Sequence, residues 1–194
     1  MLRAIMLLLF VFSSCVSQTV NDDDRKILIT VNDFKEYDLI FPGNYKKYEK
    51  YNKYISLDGT STIEYEYEYS PADEKSDITF ISQRVEYHLK KSDQLVSDKF
   101  GGFVVKSILK SYGVSMKEPS GMFKNRQDTK VFSLTSEGYD VGNMLVVSFD
   151  RMTFSYTLVG QHIKDPEVWS DIFAEKVDLA TKYKASFYKI DYNK

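Results

Sequence analysis

In Thr62-Ile63-Glu64-Tyr65-Glu66-Tyr67-Glu68-Tyr69, apolar and acidic side chains alternate without a break from Ile63 onward. A period of two puts Ile63, Tyr65, Tyr67 and Tyr69 on one face of an extended segment and Glu64, Glu66 and Glu68 on the other, which is the pattern of a strand with one side against a core. The next eight residues, Ser70-Pro71-Ala72-Asp73-Glu74-Lys75-Ser76-Asp77, carry turn chemistry and read as a hairpin loop. A second strand is expected over 78–89, with Ile81, Val85, Tyr87 and Leu89 sharing a face. The fold is therefore built on an antiparallel pair.

Upstream of this hairpin, 26–31 and 37–41 read as weaker strands, the latter ended by Pro42-Gly43, and the lysine- and tyrosine-rich stretch 44–54 fits either a short helix or a loop. Downstream, 92–112 reads as a first main helix, because Val96, Phe100, Phe103, Val104 and Ile108 fall on one side at 100° per residue. Ser92 can cap its start and Gly113 its end. Gly101-Gly102 inside it costs up to about 1 kcal/mol per residue relative to alanine and points to close packing of helix on sheet. Three strands are expected over 130–135, 144–149 and 153–159, the last two joined by a tight hairpin at Asp150-Arg151. A second main helix starts at Asp165 as N-cap, Pro166 in the first helical position and Glu167 at the positive end of the dipole. Its apolar face is Trp169, Ile172, Phe173, Val177, Ala180 and Tyr183; Lys176 falls inside that stripe and must snorkel or find a carboxylate.

Strands, helix, three strands and helix, with hairpin connections, imply an α+β fold: one antiparallel sheet packed against two main helices, forming a single domain over 25–194. Tyrosine and phenylalanine dominate an aromatic content of 15%, with few glycines and prolines, which favours half-buried strands over disorder. The net charge of −2 leaves no basic field to recruit nucleic acid. This element order, with the closing strand Tyr156-Thr157-Leu158-Val159-Gly160 and a tryptophan-bearing helix soon after, resembles the PsbP-like fold of photosystem II extrinsic subunits. The resemblance implies an α/β/α sandwich and a non-catalytic accessory or binding role.

The chain starts Met1-Leu2-Arg3, runs apolar from Ala4 to Phe12 and reaches Ser13-Ser14-Cys15. Charge, greasy segment and small residues in that order read as a secretory signal over 1–14. A bilayer-spanning helix needs about 20 apolar residues, so this stretch is too short to remain as one. Phe12-Ser13-Ser14-Cys15 resembles the lipobox of bacterial lipoproteins. The resemblance implies cleavage before Cys15, a diacylglyceryl thioether and an amide-linked acyl chain such as palmitate on Cys15, and membrane anchoring by several chains. Cys15 is the only cysteine, so no intramolecular disulfide can form. The polar segment 15–24, ending in Asn21-Asp22-Asp23-Asp24, is expected to be a lipidated tether. By analogy with the enteric sorting rule, Val16 directs the protein to the outer membrane. The expected address is the cell envelope.

The body offers no catalytic, cofactor or metal motif. His88 and His162, the only histidines, stand in no metal-ligand or triad spacing and read as ordinary surface or loop residues. The serines lack a nucleophile elbow. Glu64, Glu66 and Glu68 lie about 7 Å apart along a strand, too far to share one calcium without ligands from elsewhere, and read as a solvated sheet face. Three functions fit. The first is a lipid-anchored envelope module that binds a protein or small ligand without catalysis. The second is an envelope hydrolase whose carboxylates, such as Glu64, Glu66 or Glu86, come together only in three dimensions. The third is a secreted effector or inhibitor.

Overall fold

The computed structural model describes residues 16–34, 46–70, 79–95, 106–107, 109–111, 113–117, 129–160, 162–163 and 166–187, and within these every side chain except those of 46–47, 69–70, 79, 166–170 and 184–187. The strands are β1 (Val16–Gln18), β2 (Lys46–Ile55), β3 (Ser61–Ser70), β4 (Thr79–Tyr87), β5 (Ser115–Met116), β6 (Thr129–Ser136), β7 (Tyr139–Phe149) and β8 (Met152–Val159). They form one eight-stranded sheet in the order β1-β2-β3-β4-β8-β7-β6-β5. Every pairing is antiparallel. Among the described residues, α1 (Asp22–Lys26) and α2 (Pro166–Phe187) are the helices described from end to end. The fold is thus mixed α+β, with a large antiparallel sheet and few helices.

The alternation in β3 sets the faces. Ile63, Tyr65 and Tyr67 are buried in the main core with Ile81, Val85 and Tyr87 of β4 and Phe154, Tyr156 and Leu158 of β8. α2 covers this face with Ile172, Phe173, Val177 and Ala180. Phe154 and Phe173 meet edge-on at 5.4 Å between ring centres, and the Tyr87 hydroxyl donates to the Ala180 carbonyl at 3.0 Å. Lys176 finds its carboxylate, pairing with Asp33 at 2.9 Å. The side chain of Trp169 lies outside the described residues. On the other face a smaller cluster of Leu109, Val114, Leu134 and Met144 sits over β5, β6 and β7. Helical backbone occurs at 91–95, 106–107 and 109–111, while Gly101-Gly102 and most of the expected first helix lie outside the described residues.

Four expectations are corrected. The stretch 26–31 forms no strand: Ile27, Leu28, Ile29 and Val31 are buried in the main core, but Thr30 turns the chain, its N–H and hydroxyl both donating to Asp33. The expected strand 37–41 lies outside the described residues. The stretch 44–54 is neither helix nor loop where it is described, since Lys46 to Ile55 make β2, pairing with β3 along its whole length. The polar segment after Cys15 is no loose tether either. Val16–Gln18 pair with β2, and α1 is held by a capping box in which Asn21 and Asp24 each accept the other's backbone N–H. Leu89, finally, lies beyond the end of β4 and packs against the turn at Gly59, where any side chain would strike it.

Both hairpins of the second half turn in two residues. Glu137-Gly138 joins β6 to β7, and Asp150-Arg151 joins β7 to β8 as expected, all four with positive φ. Such turns match the twist of the strands, but Asp150 and Arg151 lack the freedom of glycine, so the surroundings must hold them there. They do: Gln94 accepts the Arg151 N–H and donates to the Met152 carbonyl, and the Arg151 guanidinium donates to the Leu89 carbonyl.

Candidate functional site: an open polar face of the sheet

The face of β2, β3 and β4 turned away from the main core carries the side chains that the sequence singled out. Register places Tyr54 opposite Thr62, Asn52 opposite Glu64, Lys50 opposite Glu66 and Tyr48 opposite Glu68. On the far side of β3, Glu64 faces Arg84 and Thr62 faces Glu86. Glu64, Glu66 and Glu68 do lie on the face away from the core. They are half-buried among these neighbours, however, rather than freely solvated.

Arg84 organises the face. Its guanidinium lies 3.1 Å from Glu86 and 3.6 Å from Glu64, and it donates to the Tyr54 hydroxyl at 2.9 Å. Tyr54 in turn donates to Glu64 at 2.8 Å. Burial works against the arginine charge, but Glu86, Tyr54 and Glu64 outweigh it and hold the Arg84 pKa above its ordinary value. Burial also pushes the Tyr54 phenol up, with Glu64 adding to the shift and Arg84 opposing it, so Tyr54 remains a proton donor at neutral pH. Glu66 is raised as well, chiefly by burial and then by the neighbouring Glu64, against the pull of Lys50.

His88 does not fit the surface or loop reading. It is buried, with Nδ1 3.3 Å from the Thr60 hydroxyl and Nε2 3.3 Å from the Thr153 hydroxyl. Its backbone N–H donates to the Arg151 carbonyl, which continues the alternation of β4 by one residue and puts the ring on the face of Glu86. Nε2 lies 3.8 Å from Glu86, so Glu86 touches both Arg84 and His88. His162 is half-buried in the loop before α2, as expected. The nearest approach to a carboxylate and histidine set is therefore Glu86 with His88, and its histidine is enclosed by two threonines. Among the described residues no group of His, Cys, Asp or Glu is arranged to hold a metal ion.

The face suits recognition more than proton transfer. Glu64 and Glu86 are already matched to Arg84, and a general acid or base needs access to a substrate proton at hydrogen-bond distance. Half-exposed tyrosines beside fixed, alternating charges give area and direction to a contact at small entropic cost. Of these groups, Glu64, Glu66, Glu68, Glu86 and His88 were named from sequence; Arg84, Tyr54, Asn52 and Lys50 were not. Arg84 was within reach, because folding the expected hairpin about its loop brings it beside Glu64.

A second polar group lies under the opposite face. Asp24 is fully buried and accepts two hydrogen bonds from Lys53 Nζ, at 2.8 and 3.0 Å, and one from the Tyr183 hydroxyl. Lys53 also donates to Tyr183 at 3.1 Å. The triad ties α1, β2 and α2 together, with Asp24 and Lys53 buried and Tyr183 half-buried over them, so its role is to hold the fold. Compared with known proteins, the chain matches no family model, no curated protein and no solved structure.

Proposed function

We propose that the chain is an exported bacterial lipoprotein of the cell envelope, anchored in the outer membrane through acyl chains on Cys15, and that its body is a non-catalytic binding module. The observation that carries the binding half is the open face of β2, β3 and β4, where Arg84 stands half-exposed between Glu64 and Glu86 with Tyr54 beside it. The partner it suits is an envelope protein or small ligand with complementary charge. The likeness in element order to the PsbP-like fold agrees with an accessory role. The anchoring half rests on Phe12-Ser13-Ser14-Cys15. No helix of the described residues is long and apolar enough to cross a membrane.

Two measurements test the halves separately. Cys15→Ser is expected to abolish incorporation of labelled fatty acid and membrane retention, and to leave a precursor that keeps its leader. A variant that is processed and retained normally would overturn the anchoring reading. For the body, Glu64→Gln preserves shape and an acceptor for Tyr54 and is expected to weaken, but not abolish, rescue of the phenotype that deletion of the gene produces, whereas Arg84→Glu, which reverses the charge at the centre of the face, is expected to lose it. A hydrolase that uses Glu64 as acid or base would drop about 10² to 10⁴ in rate on Glu64→Gln. Complete loss of rescue by Glu64→Gln, folded and present at normal level, would move hydrolysis ahead of binding.

A further inference from the structure

Few large apolar side chains are exposed among the described residues, and most of them gather at one end of the sheet. Val16 is 65% exposed, Leu57 76%, Leu95 53% and Phe149 42%. Val16 pairs with Ile55 at the end of β2, just before the turn that carries Leu57. Phe149 is the last residue of β7 and pairs with Met152 across the Asp150-Arg151 turn. Leu95 follows Gln94, whose side chain is bonded to that same turn. Beside Val16 and Leu57 the surface opens into a shallow apolar cleft of about 380 Å³ that also involves Leu89. Exposed apolar residues scattered singly need no explanation; several on one end of a domain mark a surface that is covered in use.

The chain itself says what covers it. Residue 15 enters the domain at Val16, so a lipid on Cys15 leaves from within this apolar end. We infer that this end of the sheet rests on the bilayer, with Val16, Leu57, Leu95 and Phe149 in the interfacial layer beside the acyl chains of Cys15; the inference builds on the proposed lipidation. Among the described residues the charges at this end are balanced, with Lys90, Lys91 and Arg151 against Asp58, Asp93 and Asp150, so docking is driven by apolar burial and depends little on anionic lipid. Strands rise about 3.3 Å per residue, which puts Tyr139, at the start of β7, about 30 Å from Phe149 at its end. With its ends so placed, β7 stands steeply on the membrane, and the open polar face of β2, β3 and β4 looks sideways along it.

The test uses the processed protein purified from its producing cells, with Leu57→Cys, Phe149→Cys or Tyr139→Cys labelled by an environment-sensitive fluorophore. Each is placed on vesicles of phosphatidylethanolamine and phosphatidylglycerol containing a spin-labelled lipid, and the mass of the N-terminal peptide reports whether Cys15 is acylated. Tyr139, 76% exposed at the far end, is the control. Dyes at 57 and 149 are expected to be quenched several-fold more than the dye at 139, and adding Leu57→Asp and Leu95→Asp to the Phe149→Cys protein is expected to remove most of the quenching at 149. Equal quenching at all three positions in an acylated protein would overturn the docking while leaving the anchor. Strong quenching at 57 and 149 in a protein without acyl chains would keep the docking and overturn the anchor; no quenching and no acylation would sink both. Protection of the dye at 57 that grows with protein concentration in the absence of vesicles would assign this end to a second copy of the chain and overturn the membrane.

Discussion

Lys53→Met is expected to destabilise the domain by about 3–5 kcal/mol, although methionine fits the space and lysine is ordinarily a surface residue. Lys53 and Asp24 are both buried, 2.8 Å apart, and Tyr183 bonds to each of them. Removing the ammonium leaves the Asp24 carboxylate without its countercharge where water cannot replace it, and the cost comes from that stranded charge more than from the lost attraction. Asp24 also accepts the Asn21 N–H that closes the cap of α1, so the N-terminal segment should loosen first. The double variant Asp24→Asn with Lys53→Met strands no charge and is expected to recover more than half of the loss in urea or thermal unfolding. A single and a double variant of equal stability would mean that the pair is not coupled. Burial disfavours the Lys53 charge, yet Asp24 and Tyr183 raise its pKa above 10.5 overall. A lysine with a raised folded pKa contributes stability that is fully present below its unfolded value and is lost as pH rises through the folded value. The lysine part of the triad's contribution should therefore be flat across neutral pH and disappear only above about 10.5.

The same triad shows why part of the fold was legible in the sequence and part was not. Residues 62–69 declare themselves because one face is buried and the other polar, so a period of two survives in the composition. Residues 46–55 are also a strand, but Tyr48, Tyr51 and Tyr54 recur every three residues and the core-side positions carry Glu49 and Lys53. Lys53 can face inward only because Asp24 waits there, and nothing in the local sequence announces a partner 29 residues away. The converse error occurred at Asp22-Asp23-Asp24, where a run of acids looks solvated. Asn21 and Asp24 stand three apart, as a capping box requires, and Asp24 then points inward while Asp22 and Asp23 stay exposed. At the candidate site, the glutamates were visible as one face of a strand. Their cation was not, because Arg84 becomes relevant only once the register of the hairpin is fixed. His88 was misread for a related reason: beyond the last apolar residue of β4 the pattern ends, but the sheet still buries the next ring between Thr60 and Thr153.

Tyr67→Ala is expected to cost about 3–5 kcal/mol, while Glu66→Gln, one residue away, is expected to leave stability unchanged or raise it. Tyr67 is buried in the main core, so alanine forfeits the transfer of the ring from water and leaves a cavity that the surrounding sheet cannot close. In a domain of this size each kcal/mol moves the melting midpoint by about 2–4 °C, which makes the loss easy to read in a thermal scan. Glu66 lies on the opposite face, where burial and the neighbouring Glu64 raise its pKa in spite of Lys50. A carboxyl whose folded pKa is raised binds more protons folded than unfolded, so it contributes a cost at neutral pH that fades as pH falls through the folded and then the unfolded value. Glutamine removes that charge at every pH, and any gain from Glu66→Gln should accordingly be present at pH 7 and shrink towards about pH 4. If Tyr67→Ala proved mild and Glu66→Gln severe, the strand would be one residue out of register. Every side chain of β3 would then change faces, and Glu64 would leave Arg84 for the core.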